Sequence, residues 1–227
     1  IYTIYTFFIS LSLISNCSRN FQDSIFKTMY KQKCLKHIKH ILLNFKTNKF
    51  CVEMSCNVII ALCMNERLIA QEELEVDSTS AILVGLKYNL DSSTLVLSAC
   101  LAFTSLISFS EECAFRFLYK PANANELETH EIDGIDLIRT AYQRHKNESE
   151  LVEVIAGLFK ELCKYDEMIV ELKSLRLNES LIADIERRFR DNLNITQTCS
   201  DVLDKMDSFV DYKSKHSIDN KKPIISI

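Results

Sequence analysis

The sequence predicts an all-α protein built as an array of about four helical repeats, and three observations carry that reading. The 227-residue chain holds only three Gly and two Pro, too few of the turn-forming residues that hairpins, barrels and sandwiches need at their many reversals. Its 47% hydrophobic content is enough for a sizeable core in one domain, or two at most. Nearly the same apolar segment also occurs twice, as "SCNVIIALC" from Ser55 and "SACLAFTSL" from Ser98, and self-similarity at a fixed period marks repeat architectures.

The opening "IYTIYTFFISLSLIS" carries no charge and resembles the apolar region of a signal peptide or a short anchor. It lacks a basic leader and a small-residue cleavage pattern, and it falls short of the ~20 residues that cross a bilayer. Residues 1–20 are therefore expected as an apolar helix or a partial repeat, since Leu11, Ile14 and Cys17 precede Cys56, Ile59 and Leu62 by 45 residues. The first residue is Ile rather than Met, which suggests a processed product or a piece of a longer one.

Residues 21–210 carry the repeats, in two families of segments. In one, Cys56, Ile59 and Leu62 recur 44 residues on as Cys100, Phe103 and Leu106, then 56 on as Ala156, Phe159 and Leu162. A further 43 gives Cys199, Val202 and Lys205, with Met206 able to replace the lysine. In the other, Ile38, Ile41 and Leu42 recur as Ile82, Gly85 and Leu86, as Ile138, Ala141 and Tyr142, and as Ile182, Ile185 and Glu186, at shifts of 44, 56 and 44. Steps of three and four residues put each set on one side of a helix. Agreement between the families predicts a pair of helices in each copy.

The longer shift implies about a dozen extra residues, and "YKPANANELETHEIDG" (119–134) reads as the surface loop that holds them. Gly134 and Asn178 each precede a helix and are expected to take positive φ as left-handed stops. A short helix completes each unit, with "NERLIAQEEL", "SEECAFRFL" and "YDEMIVEL" opening on the acids that the helix dipole favours. Residues 211–227 are expected as a flexible tail.

A formal charge of −4 argues against a nucleic-acid partner, which needs a clear excess of cations on one face. The lysines at 27, 31, 33, 36, 39, 46 and 49 read as the solvated side of helices. Nine cysteines, an odd number without CxxC pairs, suit reduced core thiols in a cytoplasmic chain. Cys34, His37 and His40 in "CLKHIKH" fan around a helix with no second ligand pair at zinc spacing, so no metal site is expected. "HEIDGID" lacks the oxygen ligands of an EF-hand. The GxSxG, P-loop, GxGxxG and HExxH patterns are absent, so no catalytic residue, cofactor or small-molecule substrate is expected. The sequons at Asn16, Asn147, Asn178 and Asn194 would matter only in a secreted chain.

A unit of roughly 44 residues, with a short helix, a Gly-containing turn and two packed helices, resembles the armadillo/HEAT class of α-solenoids. The best stretch is "HEIDGIDLIRTAYQRHKNESELVEVIAGLFKELCKYDEMIVEL" (130–172). The resemblance covers about 21–210 and implies a right-handed α-α superhelix of about four repeats. In well-studied armadillo proteins an Asn ladder on the third helix, often with Trp, holds an extended peptide. The matching positions here are Ala61, Ser105 and Glu161, and the chain has no Trp, so importin-like or catenin-like capture is not implied.

The concave face would be lined by the side of the third helices away from their core stripe. It comprises Glu53, Asn57 and Ala61, then Leu97, Leu101 and Ser105, then Glu153, Gly157 and Glu161, then Thr196, Ser200 and Asp204. An apolar middle and an acidic C-terminal half suit a protein or peptide partner with a hydrophobic anchor and basic flanks. The candidate contacts are Glu53, Asn57, Leu97, Leu101, Glu153, Glu161 and Asp204. The expected function is a protein-interaction scaffold; the alternative is the regulatory solenoid of a larger enzyme, such as a kinase-like protein. A membrane is expected as partner only if the N-terminal apolar segment is an anchor.

Overall fold

A computed structural model describes residues 33–63, 76–118 and 133–219, with all their side chains except those of 178–179 and 210–219. The apolar opening, "NERLIAQEEL", most of the 119–134 loop, Lys27, Lys31, Cys17 and Asn16 lie outside the described residues. Among the described residues there are ten α-helices and no strand. The chain divides into two compact units, 1–158 and 159–227.

The first copy pairs α1 (Cys34–Asn44) with α2 (Lys49–Cys63), and the second pairs α3 (Ser78–Lys87) with α4 (Ser93–Phe109), followed by the short α5 (Glu111–Leu118). The third pairs α6 (Gly134–His145) with α7 (Ser149–Leu162), followed by the short α8 (Asp166–Ser174). The fourth has a π-helical turn (Asn178–Ile182) leading into α9 (Ala183–Arg188), then α10 (Leu193–Asp219). No Gly or Pro interrupts 211–219, and α10 continues past the boundary drawn at 210.

Each pair is joined by the same turn. The amide of Asn48 donates to the Phe45 carbonyl, Ser92 to Asn89, Glu148 to His145 and Asn192 to Phe189. The next helix then bonds back to the turn, from Val52 to Asn48, Val96 to Ser92, Val152 to Glu148 and Thr196 to Asn192. These turns stand 44, 56 and 44 residues apart, the register of Ile38, Ile82, Ile138 and Ile182. All four isoleucines are buried. Where the turn residue is Asn, its side chain caps the new helix: Asn48 Oδ1 accepts from Cys51 N, and Asn192 Oδ1 from Asn194 N and Ile195 N.

In the first unit α1 packs on α3 and α2 on α4, so corresponding helices of neighbouring copies lie side by side, and α6 packs on α3, α4 and α5. In the second unit α10 packs on α8, α9 and the π-helical turn. The short helices also match: Cys113, Ala114 and Phe117 of α5 and Met168, Ile169 and Leu172 of α8 are buried at the same spacing.

The long helices α2, α4 and α7 each bury two stripes. On α7 these are Leu151, Ile155, Leu158 and Leu162, and beside them Val152, Ala156, Phe159 and Cys163. The turn register corrects the alignment of α10, for which the final shift is 44. Ile195, Cys199, Val202 and Met206 continue the first stripe and are buried, whereas Lys205 is exposed. The second stripe becomes Thr196, Ser200 and Leu203, half-buried, and Asp207, exposed.

The two expected left-handed stops are also corrected. Positive φ among the described residues occurs at Lys33, Asp77 and Arg176, and at no glycine. Gly134 is instead the first residue of α6, where Asp133 Oδ1 caps the amides of Ile135 and Asp136. Glycine is needed there for close approach: a Cβ would lie 2.4 Å from the Phe117 carbonyl oxygen. Asn178 opens the π-helical turn, and the left-handed residue is Arg176. The interval between Leu118 and Gly134 is about a dozen residues longer than that between Ser174 and Asn178, which locates the extra residues.

Candidate functional site: the uncharged face of α4

Helix α4 has no charged residue along its 17 positions. A helix apolar all round is ordinarily enclosed, yet α4 is covered only in part. Leu95, Val96, Ala99, Cys100, Ala102, Phe103, Leu106 and Ile107 are buried. On the remaining side Leu97, Thr104 and Ser105 are half-buried, Ser108 is exposed, and Leu101 is 37% exposed.

The hydroxyls on this side are turned inward electrically. Thr104 donates to the Cys100 carbonyl at 2.8 Å, Ser105 to Leu101 at 2.8 Å, and Ser108 to Ser105 at 2.7 Å. Each donor is satisfied by its own helix. The face therefore has few hydrogen bonds to water to give up when covered, which lowers the desolvation cost of a contact.

On α2, which packs against α4, Glu53, Asn57 and Ala61 are half-buried. Glu53 is joined to α4 by a hydrogen bond from Thr94 Oγ1 to its carboxylate, 3.2 Å. Four of the sequence-predicted residues, Glu53, Asn57, Leu97 and Leu101, thus lie on two helices in contact.

Glu153 and Gly157 are half-buried on α7. Nothing lies within 4 Å of the position a Gly157 Cβ would take, so this glycine costs helix propensity without allowing a close approach. Gly157→Ala is expected to raise stability by about 0.5–1 kcal/mol, measured as a higher midpoint in chemical denaturation.

In the second unit two acids near this face are paired with lysines. Glu161 pairs with Lys164, and Asp201 with Lys160 at 2.6 Å. The hydrogen bond from Lys160, helped by one from Gln197, holds the Asp201 carboxyl below its usual range. Asp204 is exposed beside the exposed Lys205. By the corrected register the fourth copy places Gln197, Asp201 and Lys205 on this side, where spacing alone selects Thr196, Ser200 and Asp204. Asp201 is thus a residue that sequence reasoning passed over; the 44-residue shift of the isoleucine family was the available signal. The acidic half is more balanced than the sequence suggests.

Other chemistry-bearing groups are set apart. Eight cysteines are buried among the described residues. Burial pushes the Cys100 and Cys163 thiols up to about 12 and that of Cys199 to about 11, and raises Cys56 further with help from the neighbouring Cys100. Such thiols hold their protons at neutral pH and are poor nucleophiles. Cys34 is buried while His37 and His40 are exposed, and the described residues include no group of three metal-ligating side chains. No described helix is long and apolar enough to cross a membrane. No protein-family model matches the chain, and no solved structure matches it.

Proposed function

We propose that the chain is a cytoplasmic protein-interaction scaffold: a right-handed, armadillo-like superhelix of about four repeats that binds a protein or peptide partner on the concave face of its third helices. The observation that carries this reading is the uncharged, partly open face of α4, with its hydroxyl donors already engaged. An aliphatic anchor seated between Leu97 and Leu101 would contribute on the order of 1.5–3 kcal/mol, the size of an interface hot spot. Glu53 and Asn57 stand alongside as polar rim. Glu153, Glu161 and Asp204 extend the face with weaker charge, since Lys164 offsets Glu161.

Three features support the repeat array. The helix-to-helix turn recurs four times in one register, corresponding helices pack side by side in the first unit, and α10 keeps only one of the two apolar stripes. A copy inside an array needs an apolar surface on both sides, whereas a terminal copy turns a polar surface outward.

The test is affinity capture from cell lysate with the intact chain, Leu101→Asp, and Leu97→Asp with Leu101→Asp. Both side chains stand outside the fully buried core, so the far-ultraviolet circular dichroism of the variants is expected to be retained. Partners held by the intact chain are expected to fall at least tenfold with Leu101→Asp and to disappear with the pair. An unchanged set of captured proteins with a folded double variant contradicts the proposal.

A further inference from the structure

We propose that the turn edge of the first unit docks on an anionic lipid surface, with Lys46, Lys87, Arg144 and Lys146 attracting the headgroups and Phe50 and Tyr88 entering the interfacial layer. This edge is separate from the α4 face and does not depend on its function.

The turns that end α1, α3 and α6 are tied into one row. Asn89 Nδ2 donates to the carbonyl of Lys46 in the preceding turn, 2.6 Å, and to that of Gly85, 2.7 Å. In the next copy His145 Nε2 lies 2.8 Å from the Leu90 carbonyl; because a carbonyl only accepts, Nε2 is the donor. Asn89 and His145 hold the same place in their turns, and Lys46 and Leu90 hold the next place in the turns before. The same side-chain reach therefore recurs from copy to copy and fixes the spacing of the row.

The row is basic in a chain whose formal charge is −4. Of its three acids, Asp91 is paired with Lys49 at 2.6 Å, and Glu148 lies 3.4 Å from His145 Nδ1, an attraction only for a doubly protonated ring. Glu150 is exposed, so Lys46, Lys87, Arg144 and Lys146 outnumber the two acids that remain. Lys87 and Arg144 lie in the last turns of α3 and α6, where complementing the helix dipole would by itself explain a cation. That explanation also covers Lys146, the cap of α6, but not Lys46, which lies beyond the cap of α1, nor the aromatics. Tyr88 is 45% exposed and Phe50 is 40% exposed, and among the described residues of the first unit the one other large apolar side chain so exposed is Leu101. The Lys46 ammonium sits 5.1 Å from the centre of the Tyr88 ring.

Cations set beside exposed aromatics are the mixture an anionic bilayer surface binds, because the cations respond to its negative potential and aromatic rings settle at headgroup depth. A nucleic acid fits less well. The net charge of the row is small, and Lys46 occupies a face of the Tyr88 ring on which a base would stack. Each cation near such a surface raises partitioning roughly fivefold, so binding is expected to be reversible and sensitive to salt.

The experiment is co-sedimentation of the full chain with phosphatidylcholine vesicles, with and without phosphatidylserine, at low and high salt. The variants are Lys87→Glu with Arg144→Glu and Lys146→Glu, and separately Phe50→Ser with Tyr88→Ser, each checked for folding by circular dichroism. The intact chain is expected to bind only the phosphatidylserine vesicles and to be released by salt. The charge reversals are expected to lower partitioning about a hundredfold and the aromatic pair about tenfold, while Leu97→Asp with Leu101→Asp leaves it unchanged. Absence of binding to phosphatidylserine vesicles overturns the proposal, as does equal binding by the charge-reversed chain, which would put the contact elsewhere. Capture of an acidic peptide or an RNA by this row without vesicle binding also overturns it.

Discussion

Phe103→Ala is expected to lower the stability of the protein by about 3–5 kcal/mol, measured as a fall in the midpoint of urea denaturation. Phe103 is fully buried in α4, and its ring meets that of Phe117 in α5 edge to face, with centroids 5.0 Å apart and planes at 66°. Truncation removes the buried surface of one ring, leaves a cavity that surrounding helices fill only in part, and deletes an aromatic pairing worth about 0.5–1.5 kcal/mol beyond burial. Phe117 also lies under the start of α6, so α5 and α6 lose their common support. Phe103→Leu, which keeps much of the volume, is expected to cost less than half as much. An equal loss from both would mean that Phe103 acts through something other than packing.

Gly134→Ala is expected to cost about 1–3 kcal/mol or more, against the gain expected for Gly157→Ala. The added methyl would sit 2.4 Å from the Phe117 carbonyl oxygen and 2.9 Å from two carbons of its ring. The oxygen belongs to backbone, which cannot swing aside as the end of a long side chain does. Both glycines are helical, so intrinsic propensity predicts a gain at each. Opposite signs, read from paired denaturation curves, would show that contact geometry decides the outcome at Gly134. A gain at both sites would mean that α6 stands farther from α5 than the structure places it.

The parts of the fold that were legible in the sequence rest on local regularity. Scarcity of Gly and Pro excluded β architectures, and Ile38, Ile82, Ile138 and Ile182 marked one buried position per copy because a helix stripe repeats at short spacing. The acids opening α5 and α8 marked the short helices for the same kind of reason. Features that depend on distant backbone were not legible. Nothing in "EIDGIDLI" reveals that Phe117 presses on Gly134, so the glycine was assigned a φ that it does not adopt. Neighbouring small residues hid the register of α10, since Cys199 and Ser200 are equally plausible at a close helix contact.

The candidate site was half legible. Leu97 and Leu101 stood out as aliphatic residues on the side opposite the core stripe, and they do lie at the partly open face. The engagement of Thr104, Ser105 and Ser108 by their own helix follows only from coordinates. The charge of the C-terminal half was overstated because Lys164, three residues beyond Glu161 and off the repeated stripe, offsets it. The pair of Lys160 with Asp201 was passed over because its members are distant in sequence. Asn89 and His145 went unnoticed for a similar reason: their acceptors are backbone carbonyls of the preceding turn, which any sequence supplies.

The central proposal is that the helix pairs of the first unit are copies stacked in one direction. Thr47, Asp91, Asn147 and Asp191 occupy one place in the four turns, and all are exposed. Spin labels carried there on a non-cysteine side chain allow pair distances to be measured by pulsed electron resonance. With neighbouring helices about 8–10 Å apart, stacking predicts a separation of about 10 Å between positions 47 and 91 and about 20 Å between 47 and 147. A 47-to-147 distance equal to or shorter than the 47-to-91 distance would contradict it, because the pairs would then close around one centre.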